Sequence, residues 1–201
     1  MSVLDELLNH NKWLEFLHHK ESFYINKEEY NSIKEFIEKK KYYDIAEQIV
    51  NGIYQFSIPR KKFINKSWTP KKRIVYTFKY NEMIVLKMIQ YLLKEYDFLL
   101  APNCYSFRGE ISPKQAFYNI ANYGHLNYGY KVDIHNYFNS INISKLLDLL
   151  KDKVDNKIYN LFEQILTKDE VIINDEVVIE KKGVMAGTPI SCFLSNIYLS
   201  N

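Results

Sequence analysis

A carboxylate stands at the end of a short apolar segment in the second half of the chain. Residues 128–134 read Tyr-Gly-Tyr-Lys-Val-Asp-Ile, a composition that predicts a β-strand. A carboxylate in apolar surroundings costs free energy unless it binds a cation or a hydrogen-bond donor. Asp133 is therefore a candidate metal ligand, and the alternative is that it caps the turn after the strand.

Basic residues are concentrated between positions 60 and 79. This segment holds eight lysines or arginines and no acid, although the net charge of the whole chain is only +3. Aromatic residues such as Phe63, Trp68 and Tyr76 are interleaved with these charges. Cations hold phosphate groups and aromatic rings stack on bases, so the combination is typical of a nucleic-acid-binding surface. A solvated basic loop is the alternative. The cations are Arg60, Lys61, Lys62, Lys66, Lys71, Lys72, Arg73 and Lys79.

A glycine-containing turn precedes the last apolar segment. Residues 183–189 read Gly-Val-Met-Ala-Gly-Thr-Pro. Proline is favoured in the first turn of a helix and threonine at its N-cap, so a helix is predicted from Pro189 with Thr188 as the cap. Gly187 would allow the backbone to approach a ligand closely, or it is simply the glycine of a turn.

Helices are predicted to supply most of the scaffold that positions these residues. In the first fifty residues Leu4, Leu7, Leu8, Leu14 and Leu17 recur at helical spacing. Further apolar stripes and the Ser112-Pro113 pair predict later helices. Their expected ranges are 81–96, 113–123, 144–153 and 156–167.

Strands are predicted around the basic segment and near residue 175. Residues 53–59 alternate toward a strand that ends at Pro59, and a second strand is expected over 73–78. The pair Asn174-Asp175 predicts the tight turn of a hairpin between residues 171–173 and 177–179.

Four segments of the chain resemble motifs of the reverse transcriptase family. Residues 133–141 resemble the first catalytic motif of its palm, and residues 183–199 resemble the next. Upstream, Lys72-Arg73-Ile74-Val75 resembles the basic hairpin of the fingers. Tyr105-Ser106-Phe107-Arg108-Gly109, followed by Ser112, resembles another fingers motif. Each motif is weak alone, but four in the right order are a specific signal. The resemblance covers roughly residues 53–201.

Three positions point to a subgroup of that family. Ala186 stands where most members have Gln, Met185 where many have Pro, and Cys192 where many have Pro. This pattern is similar to that of bacterial reverse transcriptases of phage defence and abortive infection. Since the Gln of the family helps to hold the nucleotide and template, Ala186 implies altered substrate selection.

The resemblance implies an α+β fold of the right-hand polymerase type. Residues 1–52 would be an N-terminal helical extension, residues 53–125 the fingers and residues 126–201 a partial palm. Within the palm, residues 142–182 can return toward the fingers.

The resemblance also implies roles for individual residues. Two Mg²⁺ ions would activate the primer 3′-hydroxyl and stabilise the leaving pyrophosphate. Asp133 would be one metal ligand and the backbone carbonyl of Ile134 another, with the remaining carboxylates in a Tyr-x-Asp-Asp hairpin expected beyond residue 201. Arg108 would bind nucleotide or, alternatively, hold a loop carbonyl. The expected nucleotide contacts are Lys71, Lys72, Arg73, Arg108, Phe138, Ala186 and Gly187. The expected nucleic-acid contacts are Arg60, Lys61, Lys62 and Lys66.

RNA-directed DNA synthesis is the function that the resemblance implies. The partners would be dNTPs, an RNA template and a DNA or RNA primer, and a non-coding RNA is a further candidate. A template-independent nucleotidyl transferase and a non-catalytic nucleic-acid-binding module with a polymerase fold are the alternatives. With one carboxylate ligand, residues 1–201 alone are expected not to extend a primer.

No membrane association is predicted. The sequence has no apolar run of about 18 residues, and its N-terminus carries Asp5 and Glu6 where a signal peptide has basic and apolar residues. A cytoplasmic location is therefore expected.

Phe138 is predicted to exclude ribonucleotides in the complete enzyme. It lies five residues after Asp133, so its ring would return toward the sugar and leave no room for a 2′-hydroxyl. Phe138→Ala should raise kcat/KM for rNTPs while lowering that for dNTPs only modestly. If both values fall together, Phe138 is a core residue and Tyr137 is the residue that faces the nucleotide.

Overall fold

The computed structural model describes residues 2–21, 26–65, 70–108, 112–125 and 127–200. Helices dominate these residues, and the strands form a four-stranded sheet. The structure thus mixes helices and strands, which is compatible with the predicted α+β class. The helices are α1 (His10–Glu21), α2 (Lys27–Glu38), α3 (Tyr43–Val50), α4 (Tyr80–Leu92), α5 (Pro113–Ala121), α6 (Tyr137–Ser140), α7 (Ile143–Lys151), α8 (Asn156–Thr167) and α9 (Ser191–Leu199), with 3-10 helices at Val3–Leu8 and Leu93–Leu99. The strands are β1 (Arg60–Asn65), β2 (Lys72–Thr77), β3 (Glu170–Ile173) and β4 (Glu176–Ile179).

The N-terminal helices pack against α4 around an aromatic centre. The Trp13 ring stacks on Tyr42 with ring centroids 4.2 Å apart, and the indole Nε1 donates to the carbonyl of Leu7 at 2.8 Å. The predicted helices are confirmed, but Leu8 and Leu14 are exposed. The larger apolar surface of aromatic rings makes Trp13 and Phe16 the residues that this region buries instead.

The sheet joins two distant parts of the chain. Its order is β2-β1-β3-β4, with β1 antiparallel to β2 and parallel to β3, where Arg60 lies opposite Ile172. The predicted hairpin is confirmed, and Asn174 and Asp175 both adopt positive φ (51° and 68°) as a tight two-residue turn requires. Strands from residues 170–179 thus lie beside the strands of the basic segment.

The predicted strand at residues 53–59 is wrong: no strand forms there, and a buried carboxylate of α4 holds the segment through side-chain and backbone contacts. Glu82 accepts from the Tyr54 hydroxyl at 3.0 Å, from the Ser57 amide at 2.7 Å and from the Ser57 hydroxyl. It also accepts from the amide of Lys79 at 3.0 Å, which caps α4. The first strand begins only after Pro59, at Arg60.

Two helix boundaries also differ from the prediction. The helix expected over 81–96 ends at Leu92 and continues as the 3-10 helix. The last helix begins at Ser191 rather than Pro189. None of the helices in the described ranges is long and apolar enough to cross a bilayer.

Glu82→Gln should destabilise the fold by about 2 kcal/mol, since an amide keeps only one of the two buried acceptor oxygens that hold several donors. Urea unfolding measures this loss. Glu38→Gln is the matched control, because the Glu38 side chain is exposed and its ion pair with Lys34 is long, at 3.8 Å. Equal midpoints for the two variants would show that Glu82 does not stabilise the connection between residue 53 and α4.

Candidate nucleotide-binding site

The loop at residues 183–188 docks on the outer edge of β2. The amide of Tyr76 donates to the carbonyl of Ala186 at 2.7 Å. Gly187 has φ +96°, and a Cβ there would lie 3.0 Å from the Cβ of Val75 and 3.1 Å from the carbonyl oxygen of Tyr76. Only glycine satisfies both the positive φ and the close approach. Gly187 was predicted to allow a close backbone approach, and in this structure the segment that approaches it is the backbone of β2.

The beginning of this loop is fixed against α6. A Cβ on Gly183 would overlap the carbonyl oxygen of Phe138 and lie 3.0 Å from the Cα of Asn139. Val184 and Met185, between the two glycine contacts, are buried. The loop therefore connects the segment after Asp133 to the basic hairpin.

Thr188 does not cap the last helix as predicted. Its hydroxyl donates instead to the carbonyl of Met185 at 2.9 Å, inside the loop. Ser191 in turn donates to the carbonyl of Thr188 at 2.6 Å. Because the threonine hydroxyl stabilises the turn, the helix starts after it, at Ser191.

The register of β1 and β2 places two predicted cations on the face that Gly187 contacts. Lys62 lies opposite Val75, and Ile64 lies opposite Arg73. Paired residues point to the same face and alternate residues share a face, so Lys62, Arg73 and Val75 share one face. Lys71, Lys72 and Arg73 are exposed, as is Lys62, and none of the four forms an ion pair with the residues that the structure describes.

Two other predicted cations form ion pairs with acids next to the sheet, one pair exposed and the other largely buried. Arg60 Nη1 lies 2.5 Å from Asp175 Oδ1. Lys61 Nζ lies 2.5 Å from Glu180 Oε2, and its side chain is only 12% exposed. The Tyr76 hydroxyl donates to the other Glu180 oxygen at 2.6 Å.

Glu180 is the residue that sequence reasoning missed. Burial opposes its ionisation, but the hydrogen bonds from Lys61 and Tyr76 outweigh burial and lower the pKa of the carboxyl below its ordinary value. The only sequence signal was an acid that follows the second strand of a predicted hairpin. Lys61 is thus positioned as a structural cation. Lys66 lies outside the described residues.

Tyr137 and Phe138, the aromatic pair after Asp133, make different contacts. The Tyr137 hydroxyl donates to the carbonyl of Ser195 in α9 at 2.6 Å, and burial raises the pKa of Tyr137 to about 12. Phe138 is half-buried, with its ring centroid 5.8 Å from that of Tyr137. This packing commits Tyr137 to α9, and the role of Phe138 as the sugar gate stays a prediction.

The predicted strand at residues 128–134 is wrong. Tyr128, Tyr130 and Val132 are 87%, 94% and 86% exposed, and no described strand pairs with this segment. A strand forms only where a neighbour completes its hydrogen bonds, and apolar composition alone does not supply one. Asp133 and Ile134 are both exposed.

Asp133 alone does not form the two-metal centre that the resemblance implies. Within the described ranges, no three His, Cys, Asp or Glu side chains are grouped so that they could hold a metal ion. A Mg²⁺ ion needs several oxygen ligands in octahedral geometry. The metal roles of Asp133 and Ile134 therefore stay predictions.

Arg108 makes the structural contacts that were its alternative role. The guanidinium donates to the carbonyls of Asp97 at 3.1 Å and Ala101 at 3.2 Å, and its side chain is 11% exposed. Asn196 in α9 donates to the carbonyl of Ser106 at 2.8 Å. The motif at residues 105–108 therefore ties the loop after α4 to the last helix. These contacts leave the prediction that Arg108 binds nucleotide without support.

No protein-family model matches the chain, and no curated protein matches it.

Gly187→Ala should destabilise the fold more than Gly52→Ala. Both glycines have positive φ, which costs an alanine about 1–2 kcal/mol, but nothing lies within 4 Å of a Cβ at Gly52. The contact with Val75 should add about 1–3 kcal/mol of overpacking to the destabilisation at Gly187. Urea unfolding and the NMR shift of the Tyr76 amide measure the effect. Equal destabilisation, with an unmoved Tyr76 amide, would contradict the docked loop.

Proposed function

We propose that the face formed by β1, β2 and the 183–188 loop binds the triphosphate of an incoming nucleotide in a nucleotidyl transferase of the reverse transcriptase type. The observation that carries the proposal is the hydrogen bond between the Tyr76 amide and the Ala186 carbonyl. That bond brings two separately recognised motifs, the basic hairpin and the glycine loop, into one surface. The right-hand polymerase arrangement, with fingers, a partial palm and an N-terminal extension, is part of this proposal.

Charge and geometry support a phosphate ligand. Arg73 presents a planar guanidinium that can pair with two phosphate oxygens at once, and Lys62 lies on the same face. Both cations are exposed rather than neutralised by the sheet. Phe138 lies at the other end of the loop, through its backbone contact with Gly183. The triphosphate and the sugar are thereby assigned to opposite ends of one loop.

The hairpin also offers stacking surface for a template or primer. Phe63 is 55% exposed on β1, on the face opposite Lys62 and Arg73, and the Lys61 ammonium, which pairs with Glu180, lies 5.7 Å from the centre of its ring. Exposed aromatic rings beside cations bind single-stranded nucleic acid without sequence preference. RNA-directed DNA synthesis is the form of nucleotidyl transfer that we propose.

A non-catalytic nucleic-acid-binding module is the second candidate. The exposed cations of the hairpin suffice for binding, whereas the described residues bring no group of metal-ligating side chains together. The two candidates differ in whether a free nucleotide binds. A nucleotide site takes up dATP in the absence of nucleic acid through Lys62 and Arg73, whereas a binding module requires the polymer.

The double variant Lys62→Gln/Arg73→Gln should bind single-stranded RNA and dATP more weakly than the unmodified protein. For every phosphate group that the variant no longer neutralises, the dependence of log K on log salt should flatten by about 0.7. Fluorescence anisotropy of a labelled RNA and calorimetry with dATP are the measurements.

The control for this variant is Lys34→Gln/Lys39→Gln, which removes the same charge from α2. Lys34 and Lys39 pair with Glu38 and Glu35 on that helix. RNA affinity that falls equally in both double variants would refute the assigned surface. Weaker RNA binding in the first variant, with no dATP binding by the unmodified protein, would favour the non-catalytic module.

A further inference from the structure

A second basic site lies away from the hairpin, in a cleft between α1, α4 and the 3-10 helix after α4. The cleft has a volume of about 170 Å³, and its lining includes Lys20, Lys87, Lys94 and Arg108. None of its lining residues belongs to β1, β2 or the 183–188 loop. We call it the basic cleft.

The basic cleft collects more positive than negative charge. Asp97 is the acid among its lining residues, and Arg108 holds the backbone carbonyl of Asp97 at 3.1 Å with its Nε 3.7 Å from the carboxylate. Glu29 of α2 lies 2.5 Å from the Lys87 ammonium. Because Arg108 is held by backbone carbonyls and the Asp97 carboxylate, the positive excess comes from Lys20, Lys87 and Lys94 against Glu29, so the cleft favours an anion.

His19 and Lys20 show that the cations repel one another. Burial, with the charges of Lys94 and Lys20, lowers the pKa of His19 to about 4. His19 is therefore neutral near pH 7, and its Nε2 lies 2.7 Å from the Lys94 ammonium as an acceptor. Burial and the charge of Lys87 lower the pKa of Lys20. An anion between these groups would raise both pKa values.

Aromatic rings hold the ammonium groups in place. Lys94 lies 4.8 Å from the ring centre of Tyr91 and Lys20 lies 5.4 Å from that of Phe16. Such cation–π contacts stabilise a lysine without neutralising it. Phe107, which is 67% exposed, adds an open aromatic surface at the cleft.

We propose that the basic cleft binds a phosphate group, either as inorganic phosphate or as the phosphate of a small nucleotide. The volume is below the roughly 300–1,000 Å³ of pockets that enclose a whole drug-sized ligand, so the phosphate enters and any nucleoside stays outside, next to Phe107. This site is separate from the proposed triphosphate site, and neither depends on the other.

The test follows the His19 ring by NMR during titration with three probes. Inorganic phosphate, AMP and adenosine are each added to the whole chain at constant ionic strength. Phosphate and AMP should raise the His19 pKa and saturate with a Kd below about 1 mM, while adenosine should not. Equal dissociation constants for phosphate and AMP would show that inorganic phosphate is a sufficient ligand. A dissociation constant for AMP at least tenfold below that for phosphate would show that the ligand is a nucleotide. If chloride at the same ionic strength shifts His19 equally, or if neither anion shifts it, the proposal is overturned.

Two variants connect binding to the lysines of the cleft. Lys20→Met and Lys87→Met keep the apolar stem and remove the charge, and each should weaken phosphate binding about tenfold. Lys34→Met on the exposed surface of α2 is the matched control and should bind as the unmodified protein does. Unchanged affinity in both cleft variants would overturn the proposal. If a cleft variant fails to fold, the His19 titration of the unmodified protein decides alone.

Discussion

The amide of Tyr76 and the carbonyl of Ala186 form the hydrogen bond on which the candidate site depends. β2 is an edge strand, and an edge strand presents unpaired backbone groups unless another segment covers it. The 183–188 loop provides that cover. Because the bond joins backbone groups, it makes little demand on the side chain at position 186 and is compatible with alanine. It makes a strict demand at Gly187, where a Cβ would meet Val75.

Charge on the basic hairpin is divided between stabilising the sheet and facing solvent. Arg60 and Lys61 pair with Asp175 and Glu180, which are supplied by the β3–β4 hairpin and the residue after it. Lys62 and Arg73 stay exposed on the face next to Gly187. The binding surface therefore carries less free charge than the composition of residues 60–79 implies. Alternation along β1 places Lys61 on the face of Tyr76 and Glu180, opposite the face that carries Lys62 and Arg73.

Local patterns in the sequence predicted those elements whose stability is local. The turn at Asn174-Asp175 and the helix after Ser112 depend on backbone preferences of a few residues, and both are present. The strand expected at 53–59 depends on a partner strand that the described residues do not provide, and the segment instead contacts the Glu82 carboxylate. The strand expected at 128–134 also needs a neighbour that the described residues do not provide.

For the candidate site, the sequence identified the motifs but not their contacts. The Gly187 loop and the basic hairpin were both named from residue types, yet nothing local indicated that one would cover the edge of the other. The Glu180 contact with Lys61 joins residues 119 positions apart, and the local periodicity of the sequence does not indicate contacts between residues so far apart. Arg108 illustrates the same limit, since its carbonyl partners come from the fold of the loop after α4.

The parallel pairing of β1 with β3 also has a consequence for the order of folding. Arg60 meets Ile172, so the chain must close a long loop before this part of the sheet exists, and non-local pairings of this kind form slowly. During synthesis at about 5–20 residues per second, β1 and β2 emerge several seconds before the strand and loop that flank them. For that interval the basic hairpin has two open edges. Exposed lysines on an edge strand disfavour edge-to-edge aggregation. The lysines of the hairpin therefore protect the nascent chain from aggregation, and in the folded protein they give the surface its positive charge.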